Sequence, residues 1–169
     1  MSTVLTPTDG TEVIMATTNL NSLINSQTNG WKSRMVSNAG LKANDFRLSF
    51  YFPAPAPIGN DQAIYVYAVP WSYNGYGVFT PGGDGGGVLP LSDVEELFTI
   101  SAKNNLGSPI AIINFSLATI PMYFATKLSN KFGSLMPPAW QLVVINYTGG
   151  MLATAGNVIK YTPVTYVSI

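Results

Sequence analysis

The sequence has no cysteine and no histidine, and only 9% of its residues are charged. Without cysteine there is no disulfide framework and no thiolate metal site. Without histidine the commonest general base and metal ligand is gone, so Ser-His-Asp and Cys-His catalytic sets are excluded. A charged fraction of about a quarter is usual. Here eight basic residues face eight acidic ones. That balance lacks the basic face that nucleic acid needs. It also implies limited solubility for a free monomer. Either much of the surface is hidden against a partner, or Ser, Thr and Asn keep it polar without charge. No apolar run approaches the ~18 residues of a membrane span. The opening Met1-Ser2-Thr3-Val4-Leu5-Thr6-Pro7 has neither the basic region nor the apolar core of a signal peptide, which predicts a protein made and kept, or assembled, in a cytoplasm.

The chemistry-bearing residues that remain form no catalytic set. Asp93, Glu95 and Glu96, with Asp84 nearby, are the only acidic cluster. On a strand Asp93 and Glu95 share a face and Glu96 points away, so they read as a solvated acidic surface rather than a converging pair. Gly82 to Gly87 is glycine-rich but lacks the Lys-Ser/Thr ending of a phosphate loop. Asp84 alone cannot supply the six or more oxygens calcium takes. The triplets Asn114-Phe115-Ser116 and Asn146-Tyr147-Thr148 fall inside expected strands, which removes them as glycosylation sites. The expectation is a protein that is not an enzyme and has no cofactor and no metal.

What is abundant is β-pattern. Residues 1–12, with Pro7 and Asp9-Gly10, read as an extended N-terminal arm, disordered when free; residues 13–169 read as one β-sandwich domain. Residues 12–18 suit a first strand, and 19–25 one helical turn or a loop. Trp31 to Val36 reads as a half-exposed strand, with Trp31, Ser33 and Met35 on one face and Lys32, Arg34 and Val36 on the other. From Phe46 to Phe52, Phe46, Leu48 and Phe50 alternate with Arg47, Ser49 and Tyr51. Ala63 to Val69 is the strongest strand of the middle, ended by Pro70. Further strands are expected over 94–101, 110–120 and 122–128, with 129–138 connecting to a final hairpin. About eight strands at irregular spacing, with almost no helical pattern, predict an all-β antiparallel sandwich of jelly-roll type.

Two loops stand out as contact surfaces. Pro53-Ala54-Pro55-Ala56-Pro57 favours a stiff polyproline-like segment, so Pro55 and Pro57 are either a rigid contact or a plain connector. Trp71, Tyr73, Tyr76 and Phe79 sit in a Gly-flanked stretch, unlike core aromatics that alternate within strands. They suit interface anchors or sugar stacking, or else they fold back over the end of the sandwich. Charge is uneven despite its zero sum. Lys32, Arg34, Lys42 and Arg47 face a single Asp45, while residues 80–100 hold four acids and no base. Such edges would pair head-to-tail in a ring.

The chain is organised around residues 132–161. Phe132-Gly133-Ser134-Leu135-Met136-Pro137-Pro138 leads into Trp140, Leu142, Val143, Val144 and Ile145, a run that reads as a central strand buried on both sides. Asn146-Tyr147-Thr148, Gly149-Gly150 and Ala153-Thr154-Ala155-Gly156-Asn157 follow, and 157–166 returns as a strand. This order resembles the C-terminal half of small β-rich, often jelly-roll, structural proteins of tailed-phage virions. The resemblance is close over 132–161 and loose over 60–166. It implies a decoration or cement protein on the outer capsid surface, assembled in the host cytoplasm, with the major capsid protein as partner and a trimer as the oligomer. No nucleic-acid or membrane partner is implied. Val4 and Leu5 of the arm, Pro55, Pro57, Trp71, Tyr73, Tyr76 and Phe79 are then the contact candidates. The alternative reading is a carbohydrate-binding β-sandwich of a tail or head fibre, using the loop aromatics.

Overall fold

A computed structural model describes residues 5–26, 28–53, 62–73, 79–81, 93–99, 106–115 and 120–168. In chain order the strands are β1 (Leu5–Asp9), β2 (Val13–Ile14), β3 (Asn29–Lys32), β4 (Val36–Ser37), β5 (Asp45–Phe52), β6 (Gln62–Tyr73), β7 (Phe79–Pro81), β8 (Glu96–Thr99), β9 (Ala111–Phe115) and β10 (Met122–Lys127). A four-residue helix, α1 (Ser129–Phe132), comes next, and then β11 (Ala139–Tyr147) and β12 (Val158–Ser168). The protein is all-β, 53% strand and 4% helix, with antiparallel sheets curled into a half-barrel consistent with a β-sandwich. One sheet runs β1-β12-β5-β10, with β2 also on β12. The other runs β7-β6-β11-β3-β8, with β4 on β11 and β9 on β6. They are called here the five- and seven-stranded sheets.

The core between the sheets follows from strand alternation. Phe46, Leu48, Phe50 and Phe52 of β5 meet Ile64, Val66 and Ala68 of β6 and Trp140, Leu142 and Val144 of β11 in one buried cluster. Trp140 bridges the layers: its ring lies edge-on to Phe46 at 5.2 Å and to Tyr161 of β12 at 5.6 Å. Each such aromatic pair adds about 0.5–1.5 kcal/mol beyond the area it buries. Burial also pushes the Tyr161 phenol above its usual range.

β11 is buried on both faces, as the apolar run from Trp140 to Ile145 predicts. Its odd-numbered residues Ala139, Val143 and Ile145 join Tyr67, Val69, Trp71 and Leu106 in a second buried cluster on the far side of the seven-stranded sheet. Polar side chains at the ends of β11 are buried and bonded. Gln141 donates to the Ser33 carbonyl and accepts from the Trp71 indole at 3.2 Å. Asn146 donates to the carbonyls of Leu23 and Gly150, both at 2.8 Å, and its Oδ1 accepts from the amide and hydroxyl of Thr148. The Asn-x-Thr sequence thus closes the turn after β11 from within, because both residues are fully buried.

Several expectations need correction. The described residues alone form twelve strands, several of them very short, against about eight expected. β6 does not stop at Pro70 but runs on to Tyr73. One edge of β6 pairs with β9 over 62–66 and with β7 over 71–73. Pro70 lies in the gap between these ladders, where a residue without an N–H fits. β11 and β12 are not a hairpin: the turn at 148–157 carries the chain from one sheet to the other. The half-exposed strand over 31–36 is two short strands, β3 and β4, around a break at Ser33–Met35. Its Lys32 is fully buried rather than exposed, its ammonium 2.9 Å from Glu96. The connector after β10 begins with α1, whose first residue is held by Asp45: Oδ1 accepts from the Ser129 amide and Oδ2 from its hydroxyl. Gly133 ends α1 at φ 70°, a left-handed conformation that glycine adopts without penalty. Residues 5–9 are extended, as expected of an arm, but they are paired, Leu5 opposite Ser168 through to Asp9 opposite Val164.

Candidate functional site

The outer face of the five-stranded sheet is an organised surface that the fold leaves open. Antiparallel register places side chains in rows across it. Tyr51 lies opposite Tyr123 and Val158; Ser49 lies opposite Ala125 and Lys160; Arg47 lies opposite Lys127 and Thr162. The middle row is made of small residues on β5 and β10, between a row of two tyrosines and a row of two cations. Size alone therefore makes a trough. It is seen as two adjoining hollows that share Ser49. One of about 150 Å³ lies beside Tyr51 and Tyr123, and one of about 410 Å³ lies among Arg47, Ala125, Lys127 and Glu12.

The two ends of the trough differ in chemistry. At one end the Tyr51 and Tyr123 rings are 4.6 Å apart and tilted by 38°. Such a cross-strand pair steadies β10 against β5. Yet Tyr123 is 74% exposed, so most of its ring still faces solvent. At the other end Arg47 reaches past β12 to Asp9 of β1 at 2.5 Å, and Lys160 meets Glu12 at 2.7 Å. Lys127, on the same row as Arg47, makes no ion pair among the described residues. Among the described residues these rows carry the cations Arg47, Lys127 and Lys160 beside Asp9 and Glu12, and the next row along β5 holds Asp45, whose carboxylate is bonded to Ser129.

Beyond these rows the same face continues to β1. Leu5, Pro7 and Asp9 share the side of Tyr166 and Val164. Leu5 is 61% exposed and Tyr166 43%, and all of β1 is exposed. β1 ends the strand order, so its far edge has no partner among the described residues.

The contact candidates read from the sequence are scattered. Leu5 lies at this exposed edge. Trp71 does not lie in a loop: it belongs to β6, opposite Ala139 and Pro81, and is buried with its indole bonded to Gln141. Its apolar ring fills the second cluster, which removes it as a free anchor in the isolated chain. Tyr73 ends β6 in register with Phe79 of β7. Val4, Pro55, Pro57 and Tyr76 lie outside the described residues. Tyr123, Ala125, Lys127, Lys160 and Glu12 were missed. The alternation of Tyr123, Ala125 and Lys127 was visible, but nothing local tells that β10 lies beside β5.

The acids Asp93, Glu95 and Glu96 lie at the surface, as expected, and also act as a structural latch; Asp84 lies outside the described residues. Asp93 accepts from the Met35 amide at 2.8 Å, filling a donor left open by the break between β3 and β4. Glu95 accepts from the Trp31 indole at 2.8 Å and from the Asn19 amide at 2.7 Å. Glu96 takes buried Lys32. Of the charges that suggested complementary edges between subunits, Lys32 and Glu96 are joined within the chain, and Arg47 is paired with Asp9.

No family model and no curated protein matches this sequence.

Proposed function

We propose that the protein is a non-enzymatic structural protein of a phage virion, a decoration or cement protein that binds the outer surface of the capsid shell. The order of residues 132–161 supports this, and the fold gives those residues coherent roles. Trp140 ties the two sheets together, and Asn146 and Thr148 close the turn that joins them. The observation that carries a docking role is the exposed β1 edge. Its backbone has no partner on the far side among the described residues, and it carries Leu5 and Tyr166 as apolar contacts on a chain that has few charges to keep such a surface in water. In this reading the sandwich belongs among the jelly-rolls, the major capsid protein is the partner, and a trimer is the assembled unit. Because the Lys32 and Arg47 charges are taken up inside the chain, subunits would meet mainly through apolar contacts.

The test is attachment. The full chain should co-purify with intact particles in copy numbers in the hundreds. Removing residues 2–9 should leave the domain folded, since β1 buries nothing, and should weaken attachment. A truncated chain that decorates particles as well as the full one would remove the β1 edge from the interface. Co-purification in only a few copies would indicate a tail or vertex part instead.

A further inference from the structure

We propose that the trough on the outer face of the five-stranded sheet binds a short acidic oligosaccharide, with a pyranose ring on Tyr123 and a sugar carboxylate at Lys127 and Arg47. This rests on the trough alone and not on the virion reading.

Tyr123 and Lys127 are four residues apart on β10, so the trough spans about 13 Å. That suits a chain of sugar rings rather than a single one. The floor of Ser49 and Ala125 lets a flat ring settle between the flanking rows. The larger hollow, about 410 Å³, falls within the ~300–1,000 Å³ usual for small-ligand sites. Tyr123 offers an open aromatic face, and its ring is held in place by Tyr51, so little side-chain freedom is lost on stacking. The Arg47–Asp9 and Lys160–Glu12 pairs present donors and acceptors whose orientation is already fixed, as sugar hydroxyls require.

The sign of the ligand follows from the charges. Asp9 and Glu12 occupy Arg47 and Lys160, and the Asp45 carboxylate is taken by Ser129, which leaves Lys127 as the cation of this face without an ion pair among the described residues. A carboxylate placed there gains a partner, and the adjacent Arg47 adds planar donors suited to it. A neutral sugar would keep the stacking and forgo this contact. The site is distinct from Trp71, which is buried in the seven-stranded sheet.

The full chain should be titrated with tetragalacturonate, and with maltotetraose as the neutral comparator, while backbone amide resonances are followed by NMR. Tetragalacturonate is expected to shift the amides of residues 47–51 and 123–127 and to bind more tightly than maltotetraose. Tyr123→Ala, at a position 74% exposed, should leave the spectrum folded and weaken binding of the acidic tetramer about tenfold. Lys127→Gln should bring the acidic tetramer down to the affinity of the neutral one. The proposal is overturned if neither sugar shifts these amides at about 10 mM, if the shifts map elsewhere, if Tyr123→Ala binds as well as the parent, or if both tetramers bind equally to the parent chain. Failure here leaves the β1 edge and its attachment test untouched, because neither variant alters residues 2–9.

Discussion

Both sheets are antiparallel, yet they treat their outward faces in opposite ways. In the seven-stranded sheet β11 is buried from Ala139 to Asn146, because odd and even residues alike find apolar neighbours. In the five-stranded sheet β10 shows a strict alternation of half-buried and exposed residues, and β5 sends Arg47, Ser49 and Tyr51 outward. A strand in the first position must be apolar throughout and tolerates a polar residue only where a partner is built in, as for Gln141 and Asn146. A strand in the second position is free on one side to carry polar and aromatic side chains. The open sheet is therefore where a ligand can be met, and the closed sheet is where stability resides.

The comparison breaks most clearly with a charge. Val143→Asp puts an unpaired carboxylate between two apolar layers and should cost more than about 4 kcal/mol, enough to prevent soluble folding. The matching change on the open face, Ala125→Asp, should cost no more than about 1 kcal/mol. Denaturant midpoints of the two variants check the pair, and a soluble Val143→Asp protein with the parent midpoint would show that β11 is not closed on both sides. Next in size is Asn146→Ala, which deletes four buried hydrogen bonds and strands the Thr148 amide, while the Leu23 carbonyl keeps the Leu152 amide and the Gly150 carbonyl keeps the Thr148 hydroxyl. A loss of about 3 kcal/mol is expected from the same measurement.

Much of this contrast was legible in the sequence, and the reason is periodicity. The unbroken run from Trp140 to Ile145 foretold two-sided burial, and the alternation from Phe46 to Phe52 foretold one open face. What stayed hidden depends on partners distant in sequence. Lys32 reads as exposed because lysine usually is, and only Glu96, brought alongside by β8, makes its burial tolerable. Pro70 reads as a stop because the gap between β7 and β9 is not a local property. The trough was half visible: Arg47, Ser49 and Tyr51 alternate outward, but Ala125, Lys127 and Lys160 join them only through the β10-β5-β12 order.

A smaller effect comes from alkaline pH. The Tyr67 phenol is raised above 10.0, chiefly because burial disfavours the phenolate and further by neighbouring Tyr65 and Tyr147; Tyr161 is raised by burial. The folded state therefore holds these protons more tightly than the unfolded chain. Their contribution to stability is complete below pH 10.0 and declines as pH rises beyond it. Melting temperature followed from neutral pH upward should be flat in this respect and then fall. Tyr67→Phe should reduce the alkaline fall, whereas Tyr123→Phe on the open face should not. The smallest effect is expected at the paired charges of the open sheet. Lys160→Gln should shift stability by about 0–1 kcal/mol, less in high salt, as double-mutant cycles with Glu12→Gln would show.

The passage of β12 into the five-stranded sheet has a consequence for how the chain is made. β12 lies between β1 and β5, so β1 has no ladder until residues 158–168 exist. Roughly 150 residues separate the two, and at about 5–20 residues per second a ribosome needs on the order of ten seconds to bridge them. From its own synthesis until β12 arrives, β5 presents an apolar face and an open edge, a template for pairing with neighbouring nascent chains. Yield in the cell should therefore depend on synthesis rate and chaperone supply more than on the equilibrium stability of the finished sandwich.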